Sequence, residues 1–149
     1  MESRTSVKDF RIEPARAEQA PLILSFIREL AEYERLSDEV LATAESLRDA
    51  LFGAQATGEA VIGYYEDAPV AFALFFYNLS TFLGRRGLYL EDLYVRPEFR
   101  GRGLGRAMLA HLSRLARERD CGRLEWAVLD WNESAISFYR SLGAQAMEE

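Results

Sequence analysis

The chain is poor in the residues that build metal sites and disulfides. Its 149 residues include one cysteine, Cys121, and one histidine, His111. An ordinary structural zinc site takes four Cys or His ligands, and an intramolecular disulfide takes two cysteines, so both are excluded. A catalytic Cys–His pair is the alternative, but both residues fall in one predicted helix and the turn after it, which favours packing roles. The sequence predicts no metal site and a reducing, cytoplasmic compartment.

Long apolar runs and a basic excess are also lacking. The longest apolar run, residues 70–77, is far too short to span a bilayer, and the N-terminal ten residues lack the apolar core of a secretory signal. With 18 basic and 24 acidic side chains the net charge is −6, which disfavours general nucleic-acid binding. An acidic surface attracts cations, so the charge is equally consistent with a small cationic substrate and with solubility alone.

The length fits one domain over residues 1–149, without internal repeats or a linker. Hydrophobic periodicity predicts strands at 8–14, 58–65, 70–77, 88–95 and 124–129, and helices at 18–35, 43–52, 103–119 and 132–142. Thr43 is the expected N-cap of the second helix and Gly143 the C′ glycine of the last. Residues 78–87 are predicted to form a polar loop. The order β-α-α-β-β-β-α-β-α indicates a mixed α/β fold whose strongest strands form an antiparallel meander.

The most informative segment is the glycine-rich turn at residues 100–105, Arg-Gly-Arg-Gly-Leu-Gly, which leaves a strand and enters a helix. Glycines allow main-chain amides to approach a ligand, and a helix N-terminus offers unpaired N–H groups to an anion such as a diphosphate. The spacing is neither a Rossmann fingerprint nor a Walker A loop. Four arginines lie close together in sequence, which indicates one local anion site: Arg96, Arg100, Arg102 and Arg106.

Three segments together resemble the GNAT superfamily of N-acetyltransferases. Residues 88–105, LYLEDLYVRPEFRGRGLG, resemble its central motif, in which Arg100, Gly103 and Gly105 match the diphosphate-binding pattern. Residues 130–143, DWNESAISFYRSLG, resemble the second half of the same site. Residues 29–34, ELAEYE, resemble the first helix of the branch that acetylates diamines, polyamines and thialysine.

The resemblance implies the GNAT fold, with a bulge in strand 88–95 and a splayed sheet that admits the pantetheine arm. Main-chain groups of Leu93 and Val95 would bind that arm, with Tyr94 on the opposite face. Acetyl-coenzyme A would be the co-substrate, without a metal. The implied cofactor contacts are Leu93, Tyr94, Val95, Arg100, Gly101, Arg102, Gly103, Leu104, Gly105, Arg106, Asn132, Ala135 and Phe138.

The resemblance also implies catalytic roles for two side chains. Tyr139 would donate a hydrogen bond to the leaving thiolate, and Glu91 would bind the amine and accept its proton. Because adjacent strand residues face opposite sides, only one of Glu91 and Asp92 is expected to point into the site. Packing for Tyr139 and a surface ion pair for Glu91 are the structural alternatives. The implied substrate contacts are Tyr33, Glu34, Glu91, Asp92 and Trp126.

The chain departs from the branch after Gly143, where two further strands are usual. Residues 144–147 are expected to begin one of them, and the usual C-terminal strand is expected to be missing, which leaves a sheet edge near residues 124–129.

The resemblance implies a homodimer and direct attack by a small cationic amine in a ternary complex. Two alternatives remain open: a protein or peptide N-acetyltransferase, and a non-catalytic acyl-coenzyme A-binding module. The particular amine is not determined by the sequence.

Overall fold

A computed structural model describes residues 8–127, 132–141 and 143. Five strands are β1 (Phe10–Pro14), β2 (Glu59–Tyr65), β3 (Ala68–Ser80), β4 (Arg85–Val95) and β5 (Leu124–Trp126). Four α-helices are α1 (Ala20–Tyr33), α2 (Ala44–Phe52), α3 (Leu104–Glu118) and α4 (Glu133–Ser141). The predicted order of elements is confirmed. The predicted ends of β5 and α4, and the strand expected at residues 144–147, lie outside the described residues.

The five strands form one sheet in the order β1-β2-β3-β4-β5. The first four pair as an antiparallel meander, as predicted, and β5 joins β4 in parallel. Helices α1 and α2 cover one face with a buried cluster around Phe26 and Phe72, while α3 covers the other around Met108 and Leu112. The apolar stripes of the helices therefore bury both faces of the central strands.

The helix ends follow the local chemistry of the sequence. Thr43 caps α2 by accepting a hydrogen bond from the Ser46 amide at 3.0 Å, which confirms its predicted role. Gly143 follows α4 with a φ of 87°, the left-handed conformation predicted for a C′ glycine. Helix α1 begins later than predicted, after a 3₁₀ turn at Ala17–Gln19, with Pro21 in its first turn.

The prediction of a polar loop at residues 78–87 is wrong. Strands β3 and β4 continue through it as a tight hairpin, and only residues 81–84 lie between them. A Cβ on Gly87 would lie 2.6 Å from the Asn78 side-chain oxygen, so the glycine allows these strands to pair closely. The Asn78 amide also donates to Glu125 at 2.7 Å, which satisfies a polar group inside the sheet.

A bulge in β4 shapes the site. Leu74 of β3 pairs with Asp92, whereas the next residue, Phe75, pairs with Leu90, so Glu91 is an extra residue in the strand. The bulge implied by the family resemblance is thereby confirmed. The pairing described between β4 and β5 involves the part of β4 before the bulge, at Leu88–Leu90. Beyond that point β4 forms one wall of a cleft.

Candidate active site

A cleft of about 320 Å³ lies between the end of β4, the start of α3 and the inner face of α4. Ten of the thirteen predicted cofactor contacts line it: Leu93, Tyr94, Val95, Arg100, Gly101, Gly103, Leu104, Gly105, Arg106 and Ala135. Residues from three separate segments of the sequence thus meet in one space. Two others, Arg102 and Asn132, do not line the cleft, and the side chain of Phe138 lies outside the described part of α4.

The glycine turn presents main-chain groups to the cleft. Gly101 and Gly103 have φ angles of 79° and 80°, which L-residues with a side chain rarely adopt. A Cβ on Gly101 would have no neighbouring atom within 4 Å, so the surface above this turn is open. Gly103 is the N-cap of α3, whose first amides lack partners within the helix. The turn therefore suits the diphosphate of a coenzyme A thioester.

The four clustered arginines do not form one anion site. Arg96 turns towards α1, where it forms an ion pair with Glu29 at 3.1 Å. The Arg102 guanidinium lies over the rings of Tyr65 and Phe99, at 5.2 and 5.4 Å from their centroids. The ion pair with Glu29 and the two aromatic rings thus engage Arg96 and Arg102, and neither arginine lines the cleft. The other two arginines of the cluster line the cleft and are the ones available to an anion there.

Arg100 connects several walls of the cleft. Its Nε donates to the Val95 carbonyl at 2.9 Å, a main-chain group that was predicted to bind pantetheine. Its guanidinium also lies 4.9 Å from the Tyr33 ring centroid and 5.5 Å from that of Tyr94. Tyr94 itself is buried in the α1 layer, on the opposite face from Leu93, as predicted.

A smaller cavity of about 80 Å³ adjoins the cleft and shares wall residues with it. All five predicted substrate contacts line this cavity: Tyr33, Glu34, Glu91, Asp92 and Trp126. Three of these carry carboxylates, and none of the described lining residues is basic. The cavity therefore favours a cationic ligand next to the cleft. Within the described ranges, no three His, Cys, Asp or Glu side chains are grouped in a way that could hold a metal ion.

Glu91 and Asp92 both line this cavity, next to the bulge in β4. The expectation that only one of the two carboxylates points into the site stays a prediction. Burial raises the pKa of Asp92 to about 7, with smaller contributions from the negative charges of Glu91 and Glu34. Burial also raises the pKa of Glu34. The cavity thus holds a carboxyl group that titrates near neutral pH.

Tyr139 lies where the two spaces meet, since it lines both the cleft and the cavity. Its ring packs against Trp126, with 5.0 Å between centroids. Burial, with smaller contributions from the charge of Glu34 and from the nearby Tyr33, raises the pKa of Tyr139 to about 12. The hydroxyl therefore stays protonated at neutral pH and can donate a hydrogen bond, as the sequence predicts.

Asn132 stabilises the start of α4. It is buried, with 5% of its surface exposed, and its side-chain oxygen accepts from the Ala135 amide at 3.2 Å. The same oxygen accepts from the Tyr33 hydroxyl, also at 3.2 Å. Asn132 thus caps the helix that carries Tyr139 and lines the smaller cavity, not the cofactor cleft where it was predicted.

We expect Tyr33→Phe to loosen the N-terminus of α4. One part-buried hydrogen bond contributes about 1 kcal/mol, so amide exchange at Ala135 should accelerate roughly fivefold. Native-state hydrogen exchange measures this rate. Tyr89→Phe is the control, because Tyr89 lines neither cavity and packs on Phe76. An unchanged exchange rate at Ala135 would show that the Tyr33 hydroxyl does not support the helix.

Several wall residues were not predicted. Leu30 and Phe99 line the cleft, and Leu90 and Ala127 line the smaller cavity. Leu30 belongs to the apolar stripe of α1. Helical spacing of apolar residues does not distinguish a residue that lines a cleft from one that packs in the core, so Leu30 could not be predicted. Phe99 lies in a 3₁₀ turn after Pro97, and its proximity to the glycine turn was the one available signal.

Comparisons with known proteins agree with this architecture. The model of the acetyltransferase (GNAT) family matches residues 24–144. A bulged strand beside a glycine turn at a helix start, with an acidic cavity adjoining, agrees with this match, which together with the relatives below defines the protein as an N-acetyltransferase that uses acetyl-coenzyme A. The chain belongs to the GNAT family of acetyltransferases.

The relatives share much of the sequence. The thialysine N-epsilon-acetyltransferase of Bos taurus is 41% identical over 135 residues, which cover 85% of this chain and 79% of the relative. That of Caenorhabditis elegans is 41% identical over 89% of this chain and 81% of its own length. The human spermidine/spermine N(1)-acetyltransferase-like protein 1 is 35% identical over 95% of this chain and 21% of its own length.

Solved structures show the same fold at lower identity. An aminoglycoside acetyltransferase from a soil metagenome superposes with a TM-score of 0.79 at 17% identity, covering 95% of this chain and 91% of its own. A Vibrio cholerae integron cassette protein gives 0.77 at 24% identity, covering 93% and 87%. None of the helices in the described ranges combines the length and apolarity that a bilayer-spanning segment needs.

Proposed function

We propose that this enzyme acetylates the primary amine of a small cationic substrate: a polyamine, a diamine or an amino acid of the thialysine kind. The observation that supports this most is the acidic cavity, in which Glu34, Glu91 and Asp92 adjoin the cofactor cleft. Three carboxylates around about 80 Å³ suit a compact cation that carries more than one positive charge. The names of the relatives, which include thialysine and spermidine/spermine acetyltransferases, agree with this class.

The cofactor would be held mainly by the main chain. The amides of Gly101, Gly103 and Gly105, with Arg100 and Arg106, would bind its diphosphate. The cleft wall formed by Leu93, Tyr94, Val95, Leu104 and Ala135 would hold the pantetheine arm. When bound, acetyl-coenzyme A supplies the activated acetyl thioester. The Val95 carbonyl already accepts a hydrogen bond from Arg100 Nε, and its second lone pair would be available to a donor of the cofactor.

The side chains would act by positioning and electrostatics. Glu91, at the cavity wall, would attract the ammonium group, and Tyr139 would donate a hydrogen bond to the departing sulfur. Attack would be direct, within a ternary complex. Neither His111 nor Cys121 lines the cleft or the cavity, which supports a path without an acyl-enzyme.

We further propose that residues 1–149 form a single N-acetyltransferase domain that works as a homodimer in the cytoplasm. The apolar side chains of Leu79, Phe82 and Leu83 are exposed at the hairpin between β3 and β4, which supports association. The family match runs through most of the chain without interruption, which supports one domain. Sedimentation velocity tests the dimer, and a monomer at tens of micromolar would contradict it.

A panel of amines tests the substrate class. We expect thiol release from acetyl-coenzyme A with spermidine, 1,3-diaminopropane and thialysine. 1,3-Diaminopropane should exceed propylamine, its matched monoamine, by tenfold or more in kcat/KM, because a second charged hydrogen bond contributes about 1.5–3 kcal/mol. Turnover of peptides but of no free amine would refute a small-amine enzyme. Cofactor binding without turnover of any amine would indicate a binding module.

A further inference from the structure

A left-handed turn fixes the end of α1. Arg35 has a φ of 63°, and the Leu36 amide donates to the Ala31 carbonyl at 2.7 Å, which closes the helix in a Schellman arrangement. Tyr33 is the last residue of α1, and it lines both the cofactor cleft and the acidic cavity. The turn therefore sets where the backbone of Tyr33 lies at the boundary of the two spaces.

The ring and the hydroxyl of Tyr33 contact different parts of the site. The Arg100 guanidinium lies 4.9 Å from the ring centroid, on the side of the cofactor cleft. The hydroxyl donates to the side-chain oxygen of buried Asn132 at 3.2 Å, and the same oxygen accepts from the Ala135 amide. One side-chain hydrogen bond thus joins the end of α1 to the first turn of α4.

Helix α4 carries Tyr139 two turns after its start. Ala135 and Tyr139 are four residues apart, so they share one face of the helix, and both line the cleft and the cavity. The helix has nine residues, a length at which an isolated helix is marginal in water. Its place therefore depends on tertiary contacts, which include the Tyr33 hydrogen bond at its start and the Trp126 ring packed on Tyr139.

We propose that Tyr33 is a positioning residue of the acetylation reaction: through Asn132 it fixes the start of α4, and thereby the place of the Tyr139 hydroxyl beside the departing sulfur. This inference rests on the proposed amine acetylation. The family resemblance implies that Tyr33 contacts the amine, whereas the hydroxyl here donates its one proton to Asn132. Tyr33 thus acts on the reaction through Tyr139 and not through the amine.

The first test is the kinetics of Tyr33→Phe, which removes the hydroxyl and keeps the ring next to Arg100. With 1,3-diaminopropane and saturating acetyl-coenzyme A, kcat should fall about fivefold, the effect of one lost hydrogen bond. The KM for the amine and the calorimetric Kd for coenzyme A should change by less than about twofold. Tyr89→Phe, outside both spaces, is the control and should leave all three values unchanged. A raised KM with an unchanged kcat would overturn the proposal, because Tyr33 would then bind the amine.

A double-mutant cycle separates positioning from a general structural role. If Tyr33 acts through the Tyr139 hydroxyl, Tyr33→Phe should lower kcat by less than about twofold in Tyr139→Phe, which already lacks that hydroxyl. It should have as little effect in Asn132→Ala, which has lost the acceptor. A fivefold effect that persists in either background would overturn the proposal, and so would an unchanged kcat in Tyr33→Phe alone.

The ring signals of Tyr139 in NMR spectra of tyrosine-labelled protein give a readout that needs no turnover. Their absence from Tyr139→Phe assigns them, and they carry the ring-current shift of Trp126, whose centroid is 5.0 Å away. They should move in Tyr33→Phe but not in Tyr89→Phe, and unmoved signals would overturn the proposal. Failure of the unmodified enzyme to acetylate any amine, with signals that do move, is a different result. It would refute the proposed function while supporting the placement of Tyr139 by Tyr33.

Discussion

Tyr139→Phe is expected to lower kcat by about 10²–10³-fold and to leave the KM for the amine nearly unchanged. Loss of one positioned donor at a site of developing charge has effects of this size. With its pKa raised to about 12, the hydroxyl is too weak an acid to transfer its proton completely to a thiolate. Full transfer to a thiolate whose acid has a pKa near 8.5 would be uphill by about 5 kcal/mol. The hydroxyl is therefore expected to act by hydrogen bonding.

Steady-state kinetics with saturating cofactor measures the effect of Tyr139→Phe on kcat and on the KM for the amine. Calorimetry checks that coenzyme A still binds to the variant. The phenyl ring keeps its packing against Trp126, so the variant removes only the hydroxyl. Tyr89→Phe serves as the matched control because Tyr89 is outside both cavities. A change in kcat of less than about tenfold, with the rate limited by chemistry, would assign Tyr139 to packing alone.

Asp92→Asn is expected to stabilise the folded protein, most strongly at alkaline pH. The folded-state pKa of Asp92, about 7, lies above the unfolded value near 3.9, so the folded state holds this proton more tightly. Stability is therefore lost as pH rises from about 4 to 7, and the loss is complete above 7. Replacement by a neutral amide should remove a penalty of up to about 4 kcal/mol at pH 8, but only about 1.5 kcal/mol at pH 5.

Thermal unfolding without ligands, at pH 5 and pH 8, measures this difference. For a chain of this length, about 4 kcal/mol corresponds to a rise in Tm of roughly 8–16 °C. Asp38→Asn is the control, and its exposed site should change stability by no more than about 0.5 kcal/mol. Equal stabilisation of Asp92→Asn at both pH values would show that the carboxylate is not held in an unfavourable environment.

Much of the fold follows from local patterns. The cap at Thr43, the glycine after α4 and the strand-to-helix turn at residues 100–105 depend on a few neighbouring residues, and the sequence predicts each of them. The hairpin at residues 78–87 was not predicted, because its polar residues have the composition of a loop. Asn78 packs against Gly87 and donates to Glu125 across the sheet, and these contacts join distant parts of the chain.

In the candidate site, too, local patterns predict some features and contacts between distant parts of the chain decide others. The two cofactor motifs together predict ten residues that line the cleft. The four arginines separate because Glu29 lies beside Arg96 and the aromatic rings of Tyr65 and Phe99 lie beside Arg102. Likewise, the bulge at Glu91 depends on how β4 pairs with β3, and both Glu91 and Asp92 line one cavity beside it.

The sequence by itself determined the order of elements, the glycine-rich turn before α3 and the residue types of an amine acetyltransferase, because these depend on short-range backbone preferences and side-chain chemistry. Only the tertiary structure decided which carboxylate is more shielded from solvent, which arginines line the cleft and which groups Asn132 contacts. A bulge is a mismatch between two strands, and burial depends on every element packed nearby, so neither can be obtained from one segment alone.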